Sequence, residues 1–498
     1  MQAIPEIRIR TGERPANPRG QFVLYWMSTA RRLEWNFALD HAIARAGELE
    51  LPLVIVEALP LEYRWANARR HRFLLDGMAD NLEYARARRA PYYPFVERKP
   101  GQCDALLGLL AARAALIVSD EYPIDAPALI DAETAATLKA PTEWADSNGL
   151  IPLRAAPKAF SRAYSFRTWI HRVLHEHLLE APTPHPLEGA DRDPIRSLPA
   201  ALLAEICRQW PAANAQELSR EFALETRLPI AQRPAPTDEA GGFSSAHAAL
   251  GRFLKSGLPH YERDRNHPDA HGASGLSPWL HFGHLSTHDI VHYLLDLEDW
   301  DPSRLGTHAP GQKGFWGLGA PAADFVDELI TWREIGFNFC HHRADYDQFE
   351  SLPDWARRTL NEHARDTRHE HYRFDELEQA RTGDPIWNAA QAQLLEDGRM
   401  HNYLRMLWGK KILEWSASPK DALATMIELN NRYALDGCDP NSYSGIFWVL
   451  GRYDRAWGPE RQIFGKIRYM SSQNARRKLR MKQYLERYSD QPRQDALL

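Results

Sequence analysis

Cysteine is scarce in this chain: four residues, Cys103, Cys207, Cys340 and Cys438, stand far apart in 498. They form no CxxC pair of the kind used by zinc or redox centres, and all four are expected as ordinary buried thiols. Long apolar runs are missing too. No uninterrupted span could cross a bilayer, and the first thirty residues carry charges and prolines where a signal peptide has its apolar core. The expectation is a cytoplasmic protein with no membrane partner. Neither GxGxxG nor GxxxxGK(S/T) occurs, which removes the usual sequence sign of a dinucleotide or triphosphate loop, and no GxSxG offers a serine nucleophile. Histidines cluster at His175 and His177, His341 and His342, and His369 and His371. None of these pairs has the i, i+4 spacing with an acidic partner seen in HExxH, so no metal is expected. There is no internal repeat.

A strong charge of one sign is also lacking, since the formal net charge is -5. A general affinity for polyanions is not implied. Residues 439 to 498, however, carry twelve Lys or Arg against six Asp or Glu. Lys466, Arg468, Arg476, Arg477, Lys478, Arg480 and Lys482 could meet backbone phosphates, or form only a solvated basic helix.

What is present is a 44% apolar chain long enough for two or more domains. From Phe22 the segments FVLYWM, LPLVIV, APYYPFV and ALIVSD read as short buried strands, with helical stretches Leu33 to Leu49 and Asn67 to Arg88 between them. That alternation predicts an α/β N-terminal domain, a Rossmann-like parallel sheet covered by helices, over residues 20–180. Nine prolines in residues 182 to 236 mark an inter-domain linker with short helices, placed at 181–240. Residues 241–490 carry helical patterns without convincing strands, and an all-helical domain is expected there.

The candidate chemistry lies in that helical half. MHNYLRMLWGKKILEW, residues 400–415, sets Tyr403, Leu404, Leu407, Trp408, Lys411, Ile412 and Trp415 near one helix face, with Arg405 among them. An arginine drawn into a core needs a partner, because removing the partner of a buried ion costs on the order of 3 to 5 kcal/mol. Asp436 and Asp439, in the turn LDGCDPN, are the candidates. Trp408 and Trp415 are two turns apart, about 10 Å along the axis, and Trp387 lies one helix upstream. Indoles so placed could pass electrons to a redox cofactor, though aromatics on a helix face more often simply pack a core. Ser274-Gly275-Leu276-Ser277 before Pro278 offers hydroxyls and amides for a phosphate, or only a helix cap. Glu328 and Trp332, four residues apart, would aim a carboxylate and a ring into one space.

Taken together, SGLSPWLHFGHLS, DELITWREIGFNFC, DPIWNAAQAQLLEDGRMHNYLRMLWGKKILEW, LNNRYALDGCDPNSYSGIFW and FGKIRYM resemble the photolyase and cryptochrome family, and most of all its class II cyclobutane pyrimidine dimer photolyases. FVLYWMSTARRLEWNFAL near the start is similar to that class as well. The resemblance implies an antenna-type α/β domain followed by a helical domain that holds FAD and takes in a flipped lesion from UV-damaged DNA. It implies light-driven repair by electron transfer from reduced FAD to the dimer. It assigns Tyr261, Ser274, Gly275, Leu276 and Ser277 to the flavin phosphates and ribityl chain, pairs Arg405 with Asp436 beside the ring, and sets Asn430 against flavin N5. Trp408, Trp387 and Trp415 would be the proximal, middle and distal members of a photoreduction chain. Glu328, Trp332, Met406 and Trp448 would meet the lesion, and Arg455, Lys466 and Arg468 the DNA.

Two departures accompany the resemblance. After Trp448 the family usually carries Gly-Gly-x-His-Asp, whereas this chain reads VLGRYD, one residue shorter and without the histidine, although Asp454, Arg455 and Trp457 are kept. Asn402 stands where class II sequences commonly have glycine. Two other readings share the resemblance: a cryptochrome-like flavin photoreceptor, and a photolyase for (6-4) photoproducts. Glu328, Trp332, Trp448 and the basic FGKIRYM segment favour repair of cyclobutane dimers. No motif decides whether the N-terminal domain holds a second, antenna chromophore such as a deazaflavin. A monomer is expected from the family.

Overall fold

The computed structural model describes residues 4–188 and 200–489. Six strands form one sheet: β1 (Ile9–Thr11), β2 (Phe22–Met27), β3 (Leu53–Leu59), β4 (Tyr92–Val96), β5 (Ala114–Asp120) and β6 (Thr142–Ala145). Their order is β1-β6-β5-β2-β3-β4, and only the β1 to β6 pair is antiparallel. The central strands β2, β3 and β5 are buried along their whole length, which is why they read as unbroken apolar runs rather than alternations. Pro94 is tolerated because β4 is an edge strand, where no further neighbour needs its missing amide.

Helices α1 (Phe37–Glu48), α2 (Ala68–Arg88) and α3 (Gln102–Ala111) cross between the parallel strands. Asn36 and Asn67 open the first two, their side chains accepting from backbone amides of the first turn. At the carboxyl end of β5, Asp120 Oδ2 accepts from the amides of Ser28, Thr29 and Ala30 at 2.8, 2.7 and 3.0 Å, while Oδ1 accepts from the Tyr25 hydroxyl at 2.9 Å. This carboxylate fastens the exit of β2 to β5. Glu57 of β3, fully buried, is satisfied by Arg31 at 3.0 Å, Asn81 at 2.9 Å and Tyr92 at 2.5 Å.

By compactness the chain forms two units. The first holds residues 1–157, 173–250 and 276–299; the second holds 158–172, 251–275 and 300–498. The proline-rich stretch 181–240 belongs with the sheet and carries helices Ala200–Gln209 and Ala215–Leu218, the second closed by a capping box of Asn214 and Glu217. Leu202 and Ile206 sink into the core of the sheet unit. Part of that stretch, 189–199, and the chain from 490 onward lie outside the described residues.

The second unit is helical, and among the described residues no strand of the sheet follows β6. Its helices include α4 (Ala320–Val326), α5 (Arg333–His342), α6 (Pro385–Asp397), α7 (Asn402–Trp415), α8 (Pro419–Tyr433) and α9 (Pro440–Val449). Pro385, Pro419 and Pro440 each occupy the first turn, where no amide partner is lost.

Of the four cysteines, Cys103 and Cys340 are buried, but Cys438 is half-buried and Cys207 exposed. The expectation of four buried thiols fails at Cys207 because Leu202 and Ile206, one helical turn apart, define the inward face of its helix. The next residue is rotated about 100° away from Ile206.

Candidate functional site

Apart from Leu276 and Ser277, the candidate site residues belong to the helical unit. Between α4 and α5 the chain makes a wide turn, Asp327–Trp332, in which the Arg333 amide reaches back five residues to the Glu328 carbonyl. Such π-type insertions re-aim side chains and occur often at functional sites. This one presents Glu328 to Arg265, with which it forms an ion pair, and Asp327 to Arg167, whose Nε donates at 2.9 Å. Burial pushes the Glu328 carboxyl above its usual range, with the Arg265 guanidinium opposing that shift. The Arg167 guanidinium also lies 5.7 Å from the centre of the Trp332 ring.

Trp332 is stacked on Trp448 of α9, with centroids 4.7 Å apart and planes within 7°. Tyr453 stands edge-on to Trp448 at 6.4 Å. Arg265, Glu328, Asp327, Arg167, Trp332 and Trp448 thus form one connected cluster of charge and aromatic surface. Met406 of α7 is half-buried.

Arg405 is half-buried rather than drawn into the core, and it has a partner. Its Nη2 donates to both Asp436 carboxylate oxygens at 3.0 and 3.2 Å, and the Ser442 hydroxyl holds the Asp436 carbonyl at 2.9 Å. Asp439, the other candidate, caps α9 through the Asn441 amide at 2.7 Å. Asn430 of α8 is buried, and its amide donates to Asn431 Oδ1 at 3.0 Å.

The three indoles are brought into one stack-and-edge array. Trp387 of α6 lies parallel to Trp408, centroids 6.5 Å apart and planes within 3°, and edge-on to Trp415 at 5.4 Å. Its Nε1 donates to the Trp408 carbonyl at 3.0 Å, while Trp408 Nε1 donates to Gln391 Oε1 at 2.9 Å. All three rings are 0–2% exposed. Sequence spacing placed Trp408 and Trp415 on one face; only the packing of α6 against α7 inserts Trp387 between them.

Tyr261 is buried between the edges of Phe253 and Phe325, and burial raises its hydroxyl pKa. Gly275 has φ +67°, and a Cβ there would stand 2.7 Å from Arg399 Nη1. Compactness divides the Ser274 to Ser277 stretch: Ser274 and Gly275 belong to the helical unit, Leu276 and Ser277 to the other. Ser277 is the first residue of helix Ser277–His281, and no side chain caps that helix. Within the helical unit, Gly275, Arg405, Asp436 and Asn430 are residue types that suit a flavin dinucleotide. At Gly275 a Cβ would crowd the Arg399 guanidinium, and the Arg405–Asp436 pair and the Asn430 amide are the donor and acceptor types that a polar flat ring requires.

On the surface, exposed Trp457 is flanked by Arg455 at 5.1 Å and Arg468 at 5.6 Å, while Lys466 pairs with Glu460 at 3.1 Å. Arg476, Arg477 and Lys478 form the exposed last turn of helix Ser472–Lys478, and Arg480 reaches Asp264 at 2.6 Å. Among the described residues no group of three or more His, Cys, Asp or Glu is arranged to hold a metal, and no helix is long and apolar enough to cross a membrane.

Sequence reasoning missed Arg265, Gln391 and Lys410. The first two were findable, since each lies one turn beyond a residue already chosen, Tyr261 and Trp387. Lys410 gave no sign, as lysine is among the residues least often fully buried.

Residues 23–187 match the family model described as DNA photolyase. Across 97% of this chain and 97% of the relative, identity is 34% to a deoxyribodipyrimidine photo-lyase of Methanothermobacter thermautotrophicus. A protein of the same name from Oryza sativa subsp. japonica is 33% identical over 95% of this chain and 88% of its own length. A bacterial class III photolyase from Agrobacterium tumefaciens, known by crystal structure, shares the fold with TM-score 0.66 at 17% identity, covering 94% of this chain and 86% of that one. An α/β sheet joined to a helical unit with this site, and relatives matched from end to end, lead to one conclusion: the chain belongs to the DNA photolyase family.

Proposed function

We propose that this protein is a deoxyribodipyrimidine photo-lyase of the class II type, which repairs cyclobutane pyrimidine dimers in UV-damaged DNA. The observation that carries the reading is the connected cluster of Glu328, Arg265, Trp332 and Trp448, a carboxyl and an aromatic platform on one unit with the Arg405–Asp436 pair. The shared name of the relatives supports it. In this reading residues 241–490 are the catalytic domain and residues 20–180 the antenna-type domain.

Bound and reduced, FAD would supply on illumination the electron that opens the cyclobutane ring, and would recover it afterwards, so that no net redox change occurs. The chain's part is positioning. Ser274, Gly275 and Tyr261 of the helical unit would hold the phosphate and ribityl portion, and Arg405, oriented by Asp436, would meet the polar ring. The neutral Asn430 amide offers a hydrogen bond to N5 without adding charge. Trp408, Trp387 and Trp415 form the route by which electrons reach the cofactor from outside.

Because Trp332 and Trp448 are already in ring contact, a flipped lesion packs on their outer surface rather than between them. Glu328, ion-paired with Arg265, sets a carboxyl beside this platform for a pyrimidine edge, and the Arg265 guanidinium can steady negative charge that develops there. Arg455, Lys466 and Arg468 grip the backbone. Extrusion of the lesion costs a few kcal/mol, less than for an undamaged pair because the dimer is already poorly stacked.

The test is illumination of the purified, reduced protein with a dimer-containing oligonucleotide, with recovered monomer followed by chromatography. Light-dependent recovery is expected. In the same assay Glu328→Ala should lower the repair quantum yield about tenfold or more while FAD absorbance stays unchanged, a typical loss for one hydrogen bond that matters in the transition state. An unaltered yield would remove Glu328 from this role. Absence of recovery from wild-type protein with bound, photoreducible FAD would turn the reading toward a photoreceptor or another lesion.

A further inference from the structure

Lys410 is 0% exposed, on α7 two residues beyond Trp408, and its Nζ donates to the Val449 carbonyl at 2.5 Å without forming an ion pair among the described residues. A fully buried ammonium is costly, so its retention calls for a compensating interaction. Val449 is the last residue of α9, where unsatisfied carbonyls and the helix dipole favour a cation. The approach is close by construction: a Cβ on Gly409 would stand 2.7 Å from Val449 Cγ2 and 3.0 Å from Met426 Sδ. Glycine there lets α7 come near enough for the lysine to reach.

The carbonyl it holds lies one residue beyond Trp448 and leads into the Leu450–Asp454 turn. Beyond it the backbone turns sharply, with φ +105° at Gly451 and +70° at Tyr453, the latter uncommon for a residue with a side chain. Arg452 is buried against Phe339, 3.6 Å from the ring centre, and donates to the Ser351 carbonyl at 2.8 Å. The Tyr453 ring supports Trp448 edge-on. Two buried cations therefore flank the turn, Lys410 at the Val449 carbonyl and Arg452 at the Ser351 carbonyl.

We propose that Lys410 is a positioning residue for lesion recognition, its ammonium capping the helix that carries Trp448 and thereby fixing that indole and the Leu450–Asp454 turn. The proposal rests on the assignment of Trp448 to the lesion in the preceding section. Burial lowers the Lys410 pKa to about 7; among the described charged groups, Asp454 in the turn favours the ammonium and Arg468 opposes it. Above that pH the amine still donates to Val449 but loses the attraction of a charge for the helix end.

Affinity for dimer-containing duplex should therefore fall about threefold to tenfold between pH 6 and pH 8.5 at constant ionic strength, the factor a cation is worth at a partly buried helix C-terminus. Fold stability should move oppositely. A lysine whose pKa is depressed in the native state binds fewer protons there than in the unfolded chain, so its titration raises stability as pH climbs from about 7 toward the ordinary value. A merely structural role would not separate the two trends.

The test measures dissociation constants of dimer and undamaged duplexes from pH 6 to pH 8.5 for wild type, Lys410→Met and Lys410→Arg, beside melting temperature and light-driven repair. The Met variant should bind the dimer weakly at every pH with the pH step gone, and the Arg variant should bind without the step. A wild-type affinity for the dimer that is flat across this range overturns the proposal, even where the Met variant fails to fold. A step unchanged in the Met variant, or equal for undamaged duplex, overturns it as well. Repair by the wild type in the same preparation separates this failure from failure of the photolyase reading.

Discussion

Trp408 does two jobs that a single substitution removes together. Its ring lies parallel to Trp387, and its indole N–H is the donor to Gln391 Oε1. Trp408→Phe removes both and leaves a buried amide oxygen without its donor, a cost of about 1–3 kcal/mol. Photoreduction of oxidised FAD should slow by at least roughly tenfold, since any electron must cross the gap from Trp387 directly. Repair by protein reduced chemically beforehand should be largely spared. Transient absorption and the dimer assay on one preparation check both halves, and normal photoreduction would end the role given to these indoles.

At the level of the element, α1 carries an acid whose burial has a measurable consequence. Asp40 Oδ2 accepts from the Thr183 amide at 2.7 Å, but Oδ1 is buried without a partner, and burial raises the carboxyl from 3.8 to about 7. Between these values the native state holds a proton that the unfolded chain has released, so stability falls as pH rises through this window and levels off above pH 7. Asp40→Asn keeps an acceptor for Thr183 and abolishes the charge. It should raise the melting temperature more at pH 8 than at pH 4, by a difference of at most about 4 kcal/mol in unfolding free energy. Thermal denaturation at the two pH values decides, and an equal effect at both would mean that Asp40 is ionised throughout. The same scale explains which elements could be read in advance. β2, β3, β4 and β5 announce themselves as apolar runs, whereas β1 and β6 have three and four residues, too few for any periodicity, and exist because each completes a hydrogen-bonded edge.

For the whole molecule, net charge is a poor guide to partners, because -5 averages an acidic body with a basic C-terminal end. DNA affinity should fall linearly in log-log form with salt, and Arg468→Gln should reduce that slope by about 0.9 if its guanidinium neutralises one phosphate. Fluorescence anisotropy with undamaged duplex across a salt series measures it; an unchanged slope would take Arg468 off the DNA surface. The sequence alone determined the fold class, the helical character of the second half and the demand that Arg405 find a carboxylate. Those follow from local periodicity and from the cost of an unpaired buried charge, both written in neighbouring residues. Tertiary structure decided that Asp436 rather than Asp439 answers Arg405, that Trp387 stands between Trp408 and Trp415, that Arg265 engages Glu328, and that Lys410 is buried. Each depends on which face of one helix meets another, and side-chain spacing along a single helix carries no information about the partner's register.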